Sequence, residues 1–263
     1  SKEMEQIMRL FALYKTFSGN EFVIPSIESI YPFVTGIIMI HSEVSWSGVR
    51  GNTVIDKVKD WCNKNDKENK IYHIFGKWTD QNVQYFEGLK FIKKYCKPDW
   101  IQIIDTDEVW EKSELEKTID RLKTIGTNIK TIKCKMHTYV KDVRYRISPP
   151  EPCMPVVFIR GDINQFSGVR FNTIRPFLIF DDIYFHHYTY VREKWQYVKD
   201  KIITSHIGDL VKHTNLDKWK KEKWDTIPNC INLHTTNTKQ KCWKKIIEVE
   251  PLDSVKYFTY KDI

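Results

Sequence analysis

The run Ile103-Ile104-Asp105-Thr106-Asp107-Glu108 sets three carboxylates directly after apolar residues. If 100–104 is a buried strand, Asp105 and Asp107 leave its end on one side, because strand side chains alternate with period two. Glu108 then points elsewhere and takes a supporting role. Hard divalent ions such as Mg2+ and Mn2+ take oxygen ligands and share them with substrate phosphates. An ion held by Asp105 and Asp107 would stabilise charge on a diphosphate leaving group. An Asp-x-Asp tripeptide alone is common on acidic surface turns, so the weight lies on its setting.

That setting is a set of apolar runs alternating with helical patterns. Residues 10–17 read as a strand that stops at Ser18-Gly19-Asn20. A helix over 21–31 carries Phe22, Val23, Ile27 and Ile30, with Pro25 near its start. Residues 34–40 give a second strand, and 51–61 a helix with Val54, Ile55, Val58 and Trp61 on one face. A third strand covers 71–75, followed by a long helix over 80–95 with Val83, Phe86, Leu89, Phe91 and Ile92 inward. The fourth strand runs straight into Asp105. Strands alternating with helices imply a parallel, doubly wound sheet, whose ligands bind beyond the carboxyl ends of the strands. Those ends, at 16–17, 41–43, 76–78 and 105–107, therefore share one crevice.

The second half has a different texture. A helix over 113–122 has Ser113 as its cap, and strands are predicted at 131–140 and 156–160. Residues 166–185 suggest further short strands with turns, 189–203 a helix, and 205–225 a Lys- and Trp-rich, partly helical stretch. The tail, 246–263, gives only a weak signal. There is no internal repeat or low-complexity segment.

The run Asp99-Trp100-Ile101-Gln102-Ile103-Ile104-Asp105-Thr106-Asp107-Glu108 resembles the DW-apolar-DxDE signature of GT-A fold glycosyltransferases, particularly the family 2-like group. Residues 12–21 sit where that family has its first strand and nucleotide-contacting turn, and 26–34 resemble its first helix and following proline. The family's second strand usually ends in an aspartate that reads the base. Here His41-Ser42-Glu43 occupies that place, and Glu43 is the substitute. Residues 78–82 with Gly88-Leu89 resemble the third block. The resemblance covers roughly 10–110 and thins beyond, where Phe185-His186-His187-Tyr188-Thr189-Tyr190 is similar to a late His-Tyr-x-Tyr element.

The resemblance implies one GT-A domain over 1–263: a nucleotide-sugar-binding half over 1–110, with a mostly parallel Rossmann-like sheet flanked by helices, and a mixed α+β acceptor-side half over 111–263. It implies transfer of a sugar from a UDP-sugar to a glycan or other hydroxyl acceptor, with inversion favoured over retention. Thr16, Phe17, Glu43, Asp80, Asn82, Asp105 and Thr106 would contact the donor. Asp105, Asp107 and His187 would hold the metal, with His186 and His234 as other candidates for the histidine. Imidazole suits Mn2+, which places Mn2+ ahead of Mg2+. Inversion needs a carboxylate base; Glu151, Asp162, Asp181 and Asp182 are candidates, with Asp162 and Asp182 put forward. Arg192 and Lys194 could neutralise diphosphate or serve as surface charges.

Composition bounds the rest. The 263 residues are 41% hydrophobic and 29% charged, ordinary for a globular chain. The net charge of +8 attracts polyanions, but Lys is spread in pairs such as Lys93-Lys94 and no zinc finger or basic zipper appears, so nucleic acid is not expected as a partner. None of the six cysteines forms a CxxC pair, which reads as free thiols in a reducing compartment. No apolar run nears the ~20 residues that span a bilayer, and no signal-peptide pattern opens the sequence, so a soluble, cytoplasmic protein is expected. Two rivals remain: a nucleotidyltransferase, which should carry a richer glycine loop than Ser18-Gly19-Asn20, and a binding module for carbohydrate or nucleic acid.

Overall fold

Strand β1 (Leu10–Thr16) is buried along its length because helices cover both of its faces. Leu10, Ala12 and Tyr14 pack with Val23, Ile27, Ile30 and Val58 on one face. Phe11 and Leu13 pack with Tyr85, Leu89 and Ile92 on the other. The computed structural model describes residues 8–17, 19, 21–45, 54–78, 80–163, 170, 174–204, 215–233 and 243–261. Helices α1 (Val23–Ile30) and α2 (Ile55–Asn65) belong to the first face. Helix α3 (Gln81–Tyr95) belongs to the second. It approaches so closely that a Cβ on Gly88 would meet Ile40 Cδ1 at 2.3 Å.

Strands β2 (Gly36–Ser42), β3 (Ile71–Gly76) and β4 (Trp100–Asp105) complete a parallel block in the order β4-β1-β2-β3. Its register sets Lys15 beside Asp105, Thr16 beside His41 and His41 beside Phe75. After β4 the chain turns into the two-residue β5 (Glu108–Val109), then α4 (Lys112–Thr124). The second half extends the same sheet. Strands β6 (Thr131–Val140), β7 (Tyr145–Ser148), β8 (Val156–Arg160) and β10 (Lys245–Glu248) continue it, β8 joining antiparallel to β4. The long β9 (Phe177–Tyr190) runs parallel to β6 and clips β5, with Glu108 opposite His187. The architecture is α/β, with a parallel block flanked by helices and a mixed second half.

Several expectations are corrected. The buried stripe of α3 is Gln84, Tyr85, Gly88, Leu89 and Ile92: Leu89 and Ile92 face inward as expected, whereas Val83 and Phe86 are exposed, because Gln84 and Tyr85 take the inward positions of the first turns. Ser113 lies inside α4, whose N-cap is Glu111. The helix predicted over 189–203 begins only at Trp195, in α5 (Trp195–Thr204), because Tyr190 still pairs with Val140 of β6. Of the region 166–185, residues 166–169 and 171–173 lie outside the described residues, and Phe177 onward belongs to one 14-residue strand in place of short ones. Trp195, Trp219, Trp224 and Trp243 pack together in a second-half core. Cys62, Cys96, Cys134 and Cys230 are free thiols, and Cys242 lies outside the described residues. Among the described residues, no helix is long and apolar enough to cross a membrane.

Candidate active site

Asp105 closes β4, and its side chain meets the cation that β1 places opposite it. Lys15 Nζ donates to Asp105 Oδ1, and Arg170 Nη1 donates to Asp105 Oδ2 at 3.2 Å. Arg170 also donates to Glu108, whose second oxygen accepts from the Asp105 backbone N–H at 3.2 Å. Asp107 turns the other way. Its Oδ2 accepts from Arg192 Nη2 at 2.9 Å and from Lys201 Nζ at 2.6 Å, while Oδ1 faces His187 Nε2 at 3.5 Å. Strand alternation therefore does not carry through: the chain bends at Thr106, so Asp105 and Asp107 address different cations, and Glu108 joins the cluster through Arg170.

The centre of this cluster is buried, while Lys15, Asp105, His187 and Lys201 are half-buried at its edge. Asp107 is 4% exposed, Glu108 1%, Arg170 7% and Arg192 3%. Burial of a lone ion costs several kcal/mol, so each charge must be paired. Here it is: Glu21, Asp105, Asp107 and Glu108 stand against Lys15, Arg170, Arg192 and Lys201, with Glu21 3.9 Å from Arg192 Nε. Burial works to raise the Asp105 carboxyl, but Lys15 and then Arg170 hold it down at about 2. Burial likewise opposes ionised Asp107, yet Lys201, His187 and Arg192 hold it well below the ordinary range. For Glu108 burial prevails over Arg170 and the carboxyl is raised. Burial also lowers Lys201 against the pull of Asp107.

The neighbouring strand ends line up beside this cluster. Thr16 Oγ1 shares a 2.7 Å hydrogen bond with His41 Nδ1, and His41 Nε2 one of 2.8 Å with His73 Nδ1. Phe75 stacks on His41 at 5.0 Å. Burial, then His73 and Lys59, push the His41 imidazolium down to about 3, so the ring is neutral. Gly19 adopts φ +91, and a Cβ there would meet Thr106 Oγ1 at 2.6 Å, so the loop after β1 lies directly on the Asp105–Asp107 turn. Phe17 is half-buried at that loop. Glu43 is exposed and lies 3.4 Å from Lys77. Asp80 is committed to capping α3, accepting from Asn82 N at 2.7 Å and Val83 N at 3.2 Å, and Asn82 is exposed.

In the second half, adjacent histidines of β9 take opposite faces. His187 turns to Asp107, while His186 lies between Tyr139 Oη at 2.8 Å and Glu111 at 2.9 Å. Thr138, opposite His187 in β6, donates to the buried Glu151 at 2.8 Å. Asp162 and Asp182 are surface groups: Asp162 pairs with Lys130 at 2.7 Å, and Asp182 with Arg121 and Lys117. Hydrogen bonds from Arg121 and then Lys117 hold Asp182 below the usual carboxylate range. Neither side chain bonds to a residue of the Asp105–Asp107 cluster. Asp181 is exposed, and His234 lies outside the described residues.

A resident divalent ion does not fit this arrangement. His187 faces Asp107, but side-chain cations engage both oxygens of Asp105 and one of Asp107. Among the described residues, no three His, Cys, Asp or Glu side chains converge as ligands.

Sequence reasoning missed Lys15, Arg170 and Lys201. Only Lys15 leaves a trace, as the one charge inside an apolar run that must then find a partner. Arg170 and Lys201 reach Asp105 and Asp107 from 65 and 94 residues away.

No protein-family model and no curated protein sequence matches the chain. Solved structures give loose likenesses. The Staphylococcus aureus TarS 1–349 complex with UDP has a TM-score of 0.38 at 10% identity, covering 50% of this chain and 36% of that one. A second S. aureus TarS 1–349 structure gives 0.47 at 9% identity, covering 90% and 78%. Glucosyl-3-phosphoglycerate synthase from Mycobacterium tuberculosis, with Mn2+, UDP and glucosyl-3-phosphoglycerate, gives 0.36 at 14% identity, covering 49% and 44%. The chain thus spans about a third of the length of the first of these.

Proposed function

We propose that this chain is a GT-A glycosyltransferase that moves a sugar from a nucleotide-diphosphate sugar, UDP-linked, to a hydroxyl acceptor with inversion. One observation carries the reading: a largely buried, ion-paired acidic turn, Asp105-Thr106-Asp107-Glu108, at the carboxyl end of a parallel strand beside the ends of β1 and β2. That is where an open α/β sheet binds nucleotides. Thr16, Phe17 and Thr106 would line the donor side, and the second half would receive the acceptor.

Among the candidate bases, Glu151 is best supported. It is buried, and Thr138 ties it to the strand pair that carries His187. Asp162 and Asp182 are occupied by surface cations. In the reaction, the acceptor oxygen attacks the anomeric carbon, its proton passes to Glu151, and the bond to diphosphate breaks to release UDP. The metal that the Asp-x-Asp resemblance implies, Mn2+ ahead of Mg2+, would have to enter beside Lys201 and Arg192.

The direct test is UDP release from a panel of UDP-sugars with acceptor mixtures, in EDTA and in MnCl2. Asp105→Asn and Asp107→Asn should each lower turnover by roughly a hundredfold or more, the scale of removing one charge-stabilising group. Full turnover in both variants would sink the reading.

A further inference from the structure

Asp-x-Asp carboxylates that await a metal should be left with open lone pairs and an excess of negative charge. Here the opposite holds. Asp107 Oδ2 already accepts from Arg192 at 2.9 Å and Lys201 at 2.6 Å. Asp105 is bracketed by Lys15 on one oxygen and Arg170 on the other. A divalent ion bound at either carboxylate would lie in contact with an ammonium or guanidinium, and like charges at that separation repel strongly in a buried site.

The two cations on Asp107 are not equivalent. Arg192 is spent on the protein: Nη1 donates to the Tyr188 and Val191 carbonyls at 3.2 and 2.9 Å, and Nη2 to Asp107. Its role is to fix Asp107. Lys201 has three N–H donors, of which one goes to Asp107, and its side chain remains 23% exposed. Arg170 adds a buried Nη2 that has no acceptor among the described residues. An ammonium and a guanidinium N–H, held in place beside the acidic turn, supply the kind of preorganised positive charge that stabilises a diphosphate leaving group.

We propose that Lys201, braced by Asp107 and Arg192 and assisted by Arg170, supplies the positive charge for the leaving diphosphate, and that Asp107 holds this lysine in place of a divalent ion. The proposal rests on the nucleotide-sugar reading of the same site. It makes diphosphate recognition metal-independent.

The test is calorimetric binding of UDP, with GDP, CDP and ADP alongside so that the base does not decide the outcome, in EDTA and in MnCl2. The intact chain should bind its preferred nucleotide with the same Kd in both buffers, within twofold. Lys201→Gln should weaken binding in EDTA at least tenfold, and Lys201→Arg should recover most of it. Lys201→Gln should also acquire a partial response to MnCl2, because the ammonium is gone and only the Arg192 guanidinium still engages Asp107 Oδ2. That gain cannot come from an unfolded chain. Binding that is tenfold tighter with MnCl2 in the intact chain, or unchanged in Lys201→Gln, overturns the metal-independent site while leaving the nucleotide-sugar reading in place. Failure of all four nucleotides to bind in both buffers overturns that reading and the proposal with it.

Discussion

Asp107 and Asp182 have nearly the same bonding partners. Each carboxylate sits between one arginine and one lysine: Arg192 and Lys201 for Asp107, Arg121 and Lys117 for Asp182. Their side chains differ in exposure, 6% against 45%. At Asp182, water competes for every charge and the lysine and arginine lose entropy to hold it, so the pair adds little. At Asp107, no water replaces a lost partner, and removing the carboxylate strands two cations in the interior. Geometry alone therefore does not rank ion pairs; solvent access does. A buried acid between two cations is a costly arrangement to maintain, which is the reason to look there for function.

The largest expected effect follows from that contrast. Asp107→Asn should lower unfolding free energy by about 3–5 kcal/mol, the scale for breaking a buried pair, as read by urea denaturation. The variant should recover part of this loss when combined with Lys201→Met, since the uncompensated cation is then gone. Next, Glu151→Gln should reduce kcat by roughly 10²- to 10⁴-fold, the range for loss of a general base, with little change in donor KM. An equal loss in Asp162→Asn would move the base to the surface and undo the assignment.

Acidification separates the two aspartates from the histidines. His41 and His137 are held down to about 3 and about 4, each first by burial, below an ordinary 6.5. The unfolded chain takes up protons that the folded chain rejects, so stability present above pH 6.5 drains as pH falls toward those values. The loss is at most about 1.4 kcal/mol per pH unit for each group. Asp107 and Asp182 are depressed below 3.8, so their contribution is intact above that pH and is lost only below it. Asp182→Asn should thus follow the parent melting profile from pH 7 to 4.5 and part from it only under stronger acid. His137→Phe, which keeps the 4.5 Å stack on Tyr184, should flatten the profile between pH 6.5 and 4. The smallest effect is Asp182→Asn at neutral pH, a barely measurable shift in melting temperature that fades with salt.

The same division explains what could be read from the sequence. The four strands of the parallel block were legible because each is a short apolar run with a polar stop, and Asp105 was legible because it is such a stop. Periodicity found α3 and placed Leu89 and Ile92 inward, but chose Val83 and Phe86 over Gln84 and Gly88, whose side chains carry no apolar signal. The 14-residue β9 was hidden by Asp181, Asp182 and the two histidines, polar residues that its faces send to different partners. Lys201 and Arg170 had no local signature, because what defines them is a partner dozens of residues away. Arg192 was in view as a surface or diphosphate charge, but nothing in its neighbourhood announced that it is buried.

The pairing of β5 with β9 has a consequence for how this chain could be divided. Tyr188 N–H donates to the Asp107 carbonyl at 2.8 Å, and Glu108 lies opposite His187. The acidic turn is thus a few letters of text whose spelling is local and whose shape is written some eighty residues later. A gene fragment that ends after β4 and its turn would preserve every character of the motif and none of the clamp that bends it. Recombination or truncation of this chain should therefore succeed only where both sides of that clamp travel together.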